Sequence, residues 1–274
     1  AFIFENVKGL KRSTFANYLE YIKLQMKYPD VVALPTEDWL DHLRRLEKHD
    51  TGGGANGPHY RVVAEVLNAA DYGIPQRRER LFFVGFRSDL NIEWAFPGAT
   101  HSQDALLWDQ VHGDYWNRHG VPPSHRRLSD RAKERALKIL ERPSLLPWRT
   151  VRDAIGDLPP PASKGNERIP NHVSQPGARC YTGHTGSPMD EPAKTLKAGV
   201  HGVPGGENML LRPNGTVRYF TIRESARLQT FPDSFVFRGS WTESMRQLGN
   251  AVPVELGRLI AEDVAKHLRR QHKA

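Results

Sequence analysis

The chain has 274 residues, 38% of them hydrophobic, and its 39 lysines and arginines against 31 acidic residues give a formal charge of +8. That apolar content excludes a wholly disordered chain, and with no apolar run of membrane-spanning length a soluble intracellular protein with no membrane partner is expected. The single cysteine, Cys180, excludes an internal disulfide and a zinc site built on several thiolates. The basic balance suits a polyanionic partner, because lysines and arginines that neutralise phosphates release condensed counterions; a merely soluble basic surface is the competing reading.

Residues 1–4 read as a short buried strand, with Glu5-Asn6-Val7 at its carboxyl end and a turn at Gly9. A chain that opens inside a strand-to-loop unit is expected to be a piece of something longer. From Ser13, a predicted N-cap, to Tyr28, the spacing of Phe15, Tyr18, Leu19, Ile22 and Met26 predicts a helix. A second helix is predicted over 37–47, followed by a glycine-rich loop over 51–58. Strands over 60–67 and 80–86 flank the segment 68–79. A strand, two helices and two more strands predict the closing part of an α/β sheet.

From about Pro97 the chain becomes rich in proline, glycine and histidine, and helical periodicity returns only around 129–140. Residues 159–213 are turn-rich with short strand candidates, so a second, irregular domain is expected. A helix closes the chain, with Pro253 near its start and an apolar stripe of Leu256, Ile260, Val264 and Leu268.

Four segments carry a pattern together. They are Phe4-Glu5-Asn6-Val7-Lys8-Gly9-Leu10, the run from Tyr72 to Arg80, the run from Arg218 to Pro232, and Gln247-Leu248-Gly249-Asn250-Ala251-Val252-Pro253. Each resembles a block of the DNA cytosine-5 methyltransferase family, in the family's order, with a variable region between the second and third. The resemblance implies an α/β fold: the later part of a Rossmann-like sheet of an S-adenosylmethionine-dependent methyltransferase, plus a smaller irregular target-recognition domain. It implies residues 1–96 as the carboxy-terminal part of a catalytic domain, 97–215 as the recognition domain, and 216–274 as its end with a helix returning to the catalytic domain.

It also implies a reaction. The family flips a cytosine out of duplex DNA, adds a cysteine thiolate to carbon 6, and moves a methyl group from S-adenosylmethionine to carbon 5. By similarity Glu5 contacts ring nitrogen 3 and the exocyclic amine, a role in which a carboxyl is protonated for part of the cycle. Arg80 contacts the base's carbonyl oxygen, where charge develops, and Arg78 lies nearer the DNA backbone and the site wall. Arg77 and Glu79 are expected to face solvent or to pair with each other. Asn250, Ala251 and Val252 line the cofactor pocket, with Gly249 allowing close backbone approach. Thr195 and Leu196 stand beside the flipped cytosine. Arg223, Glu224 and Arg227 organise the recognition domain, with Arg227 also a phosphate contact. Gly183, Gly186, Gly199, Gly202, Gly205 and Gly206 suit loops lying close to DNA. His172, His184 and His201 are read as polar loop residues in preference to metal ligands.

Two of the family's blocks are not found here: the Gly-rich cofactor loop and the Pro-Cys loop that holds the nucleophile. Cys180 lacks the expected turn, so this chain alone is expected to be inactive. Its partners are then double-stranded DNA and an amino-terminal half supplied in cis or in trans. A non-enzymatic DNA-binding module is the alternative. The role of 11–58 is left open.

Overall fold

Val62, Ala64 and Val66 alternate along one strand, so their side chains share a face. In the computed structural model, which describes residues 1–53, 59–163, 168–182, 185–198 and 206–271, that face packs with Leu10, Leu81 and Phe83 into one apolar cluster. The cluster belongs to the first of two units. This unit comprises Ala1–Leu67, Glu79–Pro97 and Leu259–Ala274; the second comprises Asn68–Arg78 and Gly98–Arg258. The assignment differs from the sequence-based division at 68–78, which fall in the second unit.

The first unit is a mixed α/β structure. Its sheet holds β1 (Phe2–Val7), β2 (Tyr60–Asn68) and β3 (Glu79–Arg87) in the order β1-β3-β2. Strand β1 runs antiparallel to β3, from Phe2 opposite Gly85 to Val7 opposite Arg80. Pairing therefore continues past Phe4, and Glu5 is a strand residue, not the start of a loop. Helix α1 (Ala16–Lys27) covers one face through Leu19, Ile22 and Met26, spaced by three and four residues. The predicted N-cap at Ser13 is corrected: Ser13–Phe15 form a tight 3-10 turn that bonds Phe15 N–H to Arg12 and Ala16 N–H to Ser13.

Helix α2 (Trp39–Thr51) starts at Asp38, whose carboxylate accepts from the amides of Leu40 and Asp41 at 2.8 and 2.9 Å. It packs against α1 through Tyr21, Leu24, Tyr28, Leu43 and Leu46. His42 is buried between the helices. Its Nε2–H donates to the Val31 carbonyl at 2.7 Å, which leaves Nδ1 to accept from the Tyr21 hydroxyl at 3.0 Å. Trp94 anchors the last helix, α9 (Val254–Gln271), by donating from Nε1 to Asp263 at 2.7 Å. No helix among the described residues is long and apolar enough to cross a membrane.

The second unit is irregular. Strands β4 (His101–Ser102) and β5 (Leu146–Pro147) pair in parallel, and β6 (Ser187–Pro188), β7 (Met209–Leu211) and β8 (Val217–Tyr219) form a mixed sheet in that order. Helices α3 (Gln103–Val111), α4 (Tyr115–Arg118) and α5 (Asp130–Ala136) come first, the last capped by the Ser129 hydroxyl. The larger core joins α6 (Val151–Ile155), α7 (Ile222–Leu228) and α8 (Trp241–Asn250) with Ala193, Leu196 and Phe220. Thr150 and Thr221 start α6 and α7 with full capping boxes, completed by Asp153 and Glu224.

An ion pair helps tie the link between α1 and α2 to α2. Arg45 grips Glu37 with two bonds of 2.8 and 2.7 Å, and the Leu34 amide donates to the same carboxylate at 2.9 Å. The bonds from Arg45 hold the Glu37 carboxyl down to about 2, against an ordinary 4.5. A depressed carboxylate stabilises the fold above its unfolded pKa and loses that contribution as pH falls through the folded one. Glu37→Gln should therefore lower stability by a constant amount above pH 4.5, with the difference shrinking to nothing near pH 2. Urea melts of both proteins across that range would check it.

Candidate functional site

The antiparallel register explains how two distant charged residues meet. Val7 lies opposite Arg80, so Val7 and Arg80 share a face, and Glu5 joins them two residues along β1. Glu5 and Arg80 are thus diagonal neighbours, within reach of long side chains. Arg80 Nε lies 2.9 Å from Glu5 Oε1, and the two side chains are 16% and 24% exposed. A second nitrogen of Arg80 donates to the Glu79 carbonyl at 2.9 Å. Burial pulls the Arg80 guanidinium below its usual range, and Glu5 acts in the opposite sense. The pair is shielded enough to be fixed and open enough to be reached.

In the second unit the chemistry centres on the carboxyl end of α8. The last carbonyls of a helix lack intrahelical donors and carry its negative end. Here side chains supply them. Arg78 donates to the Gly249 carbonyl at 2.7 Å, and Gln229 donates to the Leu248 carbonyl at 2.8 Å. Arg78 also donates to the Leu196 carbonyl at 3.1 Å. Gln76, fully buried, accepts from the Leu196 amide at 3.0 Å and donates to the Leu228 carbonyl at 3.3 Å. The Thr195 hydroxyl donates to the Arg77 carbonyl at 2.7 Å. Gln229 and Thr230 serve the next helix too, accepting from the amides of Val254 and Glu255 at 3.0 and 2.9 Å.

This network corrects several expectations. Arg78 is 1% exposed, so its guanidinium serves the protein's own carbonyls and does not line a site wall. Leu196 is a core residue with no exposed surface, which removes its side chain from any DNA contact. Thr195 stays half-buried beside it. Arg77 and Glu79 do not pair with each other: Arg77 meets Glu191 at 2.9 Å, and Glu79 pairs with Lys8. Arg227 is bound to Asp233 and Asp157, each at 2.6 Å, and to the Ala154 carbonyl; the bonds it donates to Asp233 above all raise its pKa. Those partners hold it in the structure of its own unit. Arg223 and Glu224 are structural as well, Arg223 donating to the carbonyls of Pro170, Pro232 and Phe235, and Glu224 taking two bonds from Arg218.

Asn250 is exposed at the end of α8, and Ala251 and Val252 are half-buried just beyond it. Gly249 is required by what passes beside it: a Cβ there would lie 2.1 Å from the Ala198 nitrogen. These residues fit one edge of a site for a small polar molecule, with an accessible carboxamide on a rigidly held helix end. Cys180 is exposed and outside any disulfide. His172 is buried between the Thr221 hydroxyl at 3.0 Å and the Pro159 carbonyl at 2.7 Å. His184, His201, Gly183, Gly199, Gly202 and Gly205 lie outside the described residues, whereas Gly186 and Gly206 pack against the backbone of 209–211 and of Thr185. Gln76 and Gln229 were not singled out from the sequence; the signal was a glutamine held among apolar and arginine neighbours in each block.

Comparison with known proteins adds an independent line. The family model for C-5 cytosine-specific DNA methylase matches residues 54–266. The Type II methyltransferase M.MthTI of Methanothermobacter thermautotrophicus is 30% identical, covering 93% of this chain and 71% of its own length. The Type II methyltransferase M.BsuRI of Bacillus subtilis is 28% identical over 75% of this chain, which spans 42% of that protein. The S. pombe Dnmt2 methyltransferase structure superposes with a TM-score of 0.48 at 17% identity, covering 97% of this chain and 65% of that one.

Truncating Arg78 leaves the Gly249 and Leu196 carbonyls without this donor. At about 1–3 kcal/mol for each unsatisfied buried group, Arg78→Ala should cost roughly 2–6 kcal/mol. Arg78→Lys should recover only part, since one ammonium does not reproduce the planar fork. Denaturant unfolding of both variants would test this; a loss under 1 kcal/mol for Arg78→Ala would mean the clamp contributes little.

Proposed function

The chain belongs to the C-5 cytosine-specific DNA methylase family, and on that footing we propose that it carries part of a site where a methyl group passes to carbon 5 of a cytosine flipped from duplex DNA. The observation that carries the reading is the Glu5–Arg80 pair, an acid and a guanidinium 2.9 Å apart on adjoining strands. Addition of a thiolate to carbon 6 of the ring drives negative charge onto the carbonyl oxygen and ring nitrogen 3. A fixed guanidinium at that oxygen and a protonated carboxyl at that nitrogen meet the charge where it develops. When the base enters, both side chains exchange each other for the ring.

S-adenosylmethionine is the family's methyl donor and, when bound, supplies an electrophilic methyl group. Asn250, Ala251 and Val252 would hold one edge of it, the Asn250 carboxamide giving both a donor and an acceptor. Thr195 would stand beside the cytosine, with its hydroxyl already fixed on the Arg77 carbonyl. The nucleophile and the Gly-rich cofactor loop would come from an amino-terminal segment in cis or in trans, because the one cysteine, Cys180, has neither a Pro-Cys turn nor an adjacent histidine base.

Purified alone, this chain should transfer no labelled methyl group to duplex DNA, and co-expression with a segment carrying the two other blocks should restore transfer. In the restored enzyme Glu5→Ala and Arg80→Ala should each lower turnover by about 10²–10³-fold. Cys180→Ser should leave it unchanged. Transfer by the chain alone, or full turnover in both site variants, would remove the assignment.

A further inference from the structure

The second unit contains a cleft of about 490 Å³ between α3, α5 and the segments 188–192 and 211–215. Its floor is apolar, formed by Leu106, Leu107, Leu128 and Met189. Its rim is basic. Five arginines line it against two carboxylates, an excess of three positive charges, and both carboxylates are already taken. Glu191 is held by Arg77 at 2.9 Å, and Asp190 by Arg152 through two bonds of 2.6 and 3.0 Å. Arg135 is paired as well, with Asp104.

That leaves Arg127, Arg131 and Arg212. All three are exposed, and among the described residues none has an ion pair or a side-chain hydrogen bond. Helix α5 sorts its cations by type: Arg131 and Arg135, four residues apart, face the cleft, while Lys133 lies off it and pairs with Asp130. A guanidinium is always charged, weakly hydrated and planar, which suits two-point binding of a phosphate better than an ammonium does. Three of them on one cleft, with no counter-charge among the described residues, make it attractive to an anion.

Building on the proposed function, we infer that this cleft grips the sugar–phosphate backbone of one DNA strand, with Arg127, Arg131 and Arg212 each neutralising a phosphate. A cleft of about 490 Å³ takes a short stretch of one strand and not the full width of a duplex. The apolar floor suits deoxyribose. These contacts position the DNA and read no bases.

The test is fluorescence anisotropy of the chain with a labelled duplex between 50 and 200 mM salt, about the range where phosphate contacts dominate. The triple variant Arg127→Gln, Arg131→Gln, Arg212→Gln should flatten the slope of log K against log salt by about 2.7, at 0.9 per phosphate contact. A control triple with the same loss of charge, Lys48→Gln, Lys266→Gln, Arg269→Gln, should change it by less than about 1. Equal flattening in both triples would reduce the effect to net charge and overturn the cleft. So would displacement of the duplex by inorganic phosphate or a mononucleotide at constant ionic strength, which would mark a small-anion site. Binding by the wild type with an unchanged slope in the cleft variant overturns the cleft alone. A wild type that binds no duplex overturns both the cleft and the DNA substrate of the family reading.

Discussion

A buried guanidinium at the end of α8 is the constraint on which the second unit depends. Arg78 donates to the carbonyls of Gly249 and Leu196. Desolvating a cation is costly, and helix-end carbonyls are among the few neutral acceptors that offset it, because the helix dipole concentrates negative potential there. Gln76, two residues earlier, bonds the other polar group of Leu196, accepting from its amide, and donates to the Leu228 carbonyl. One short run of chain therefore fixes the ends of α7 and α8 and the strand-like segment between 193 and 196. Gly249 is the complement of that arrangement, since only the absence of a Cβ lets the backbone of 197–198 come so close.

The consequence is a division of labour within five consecutive residues. Gln76 and Arg78 point into the second unit and are fully buried, whereas Arg80 lies on β3 of the first unit, half-shielded and paired with Glu5. Strand alternation explains part of this: residues two apart face the same way only while the backbone stays extended, and β3 begins only at Glu79. Between Arg78 and Glu79 the chain leaves one unit for the other. Two arginines that look equivalent in the sequence thus do different work, one as internal scaffold and one as an accessible charge.

This is also where legibility stopped. The strands around Val62 to Val66 and Leu81 to Phe86, the helix with Leu19, Ile22 and Met26, and the stripe of Leu256, Ile260 and Val264 were legible because each is a periodic pattern that a single element must bury. The blocks around Glu5, Arg80 and Asn250 were legible as a family resemblance, and the family is borne out. What the sequence hid were partnerships over long separations. Nothing in the run from Pro75 to Arg80 announces that Gln76 meets Leu228, or that Arg77 takes Glu191 in preference to Glu79 two residues away. Leu196 was misplaced for a related reason: a Thr-Leu pair beside a presumed site looks functional, but an apolar side chain in a polar loop is more often the loop's anchor to the core.

The charge of +8 acquires a different meaning once the arginines are sorted by their partners. Arg78 and Arg223 are buried and donate to carbonyls. Arg45, Arg152, Arg218 and Arg227 are matched to carboxylates in tight pairs. Residues so engaged add little to the field outside the protein, because each charge is cancelled locally or directed inward. The outward field is then carried by the cations without internal partners among the described residues, and three of those stand on one cleft. Net charge alone is therefore a weak argument for a nucleic-acid partner, whereas arginines gathered on one concave surface and unmatched among the described residues are a strong one, because the fold supplies carboxylates freely elsewhere in the same unit.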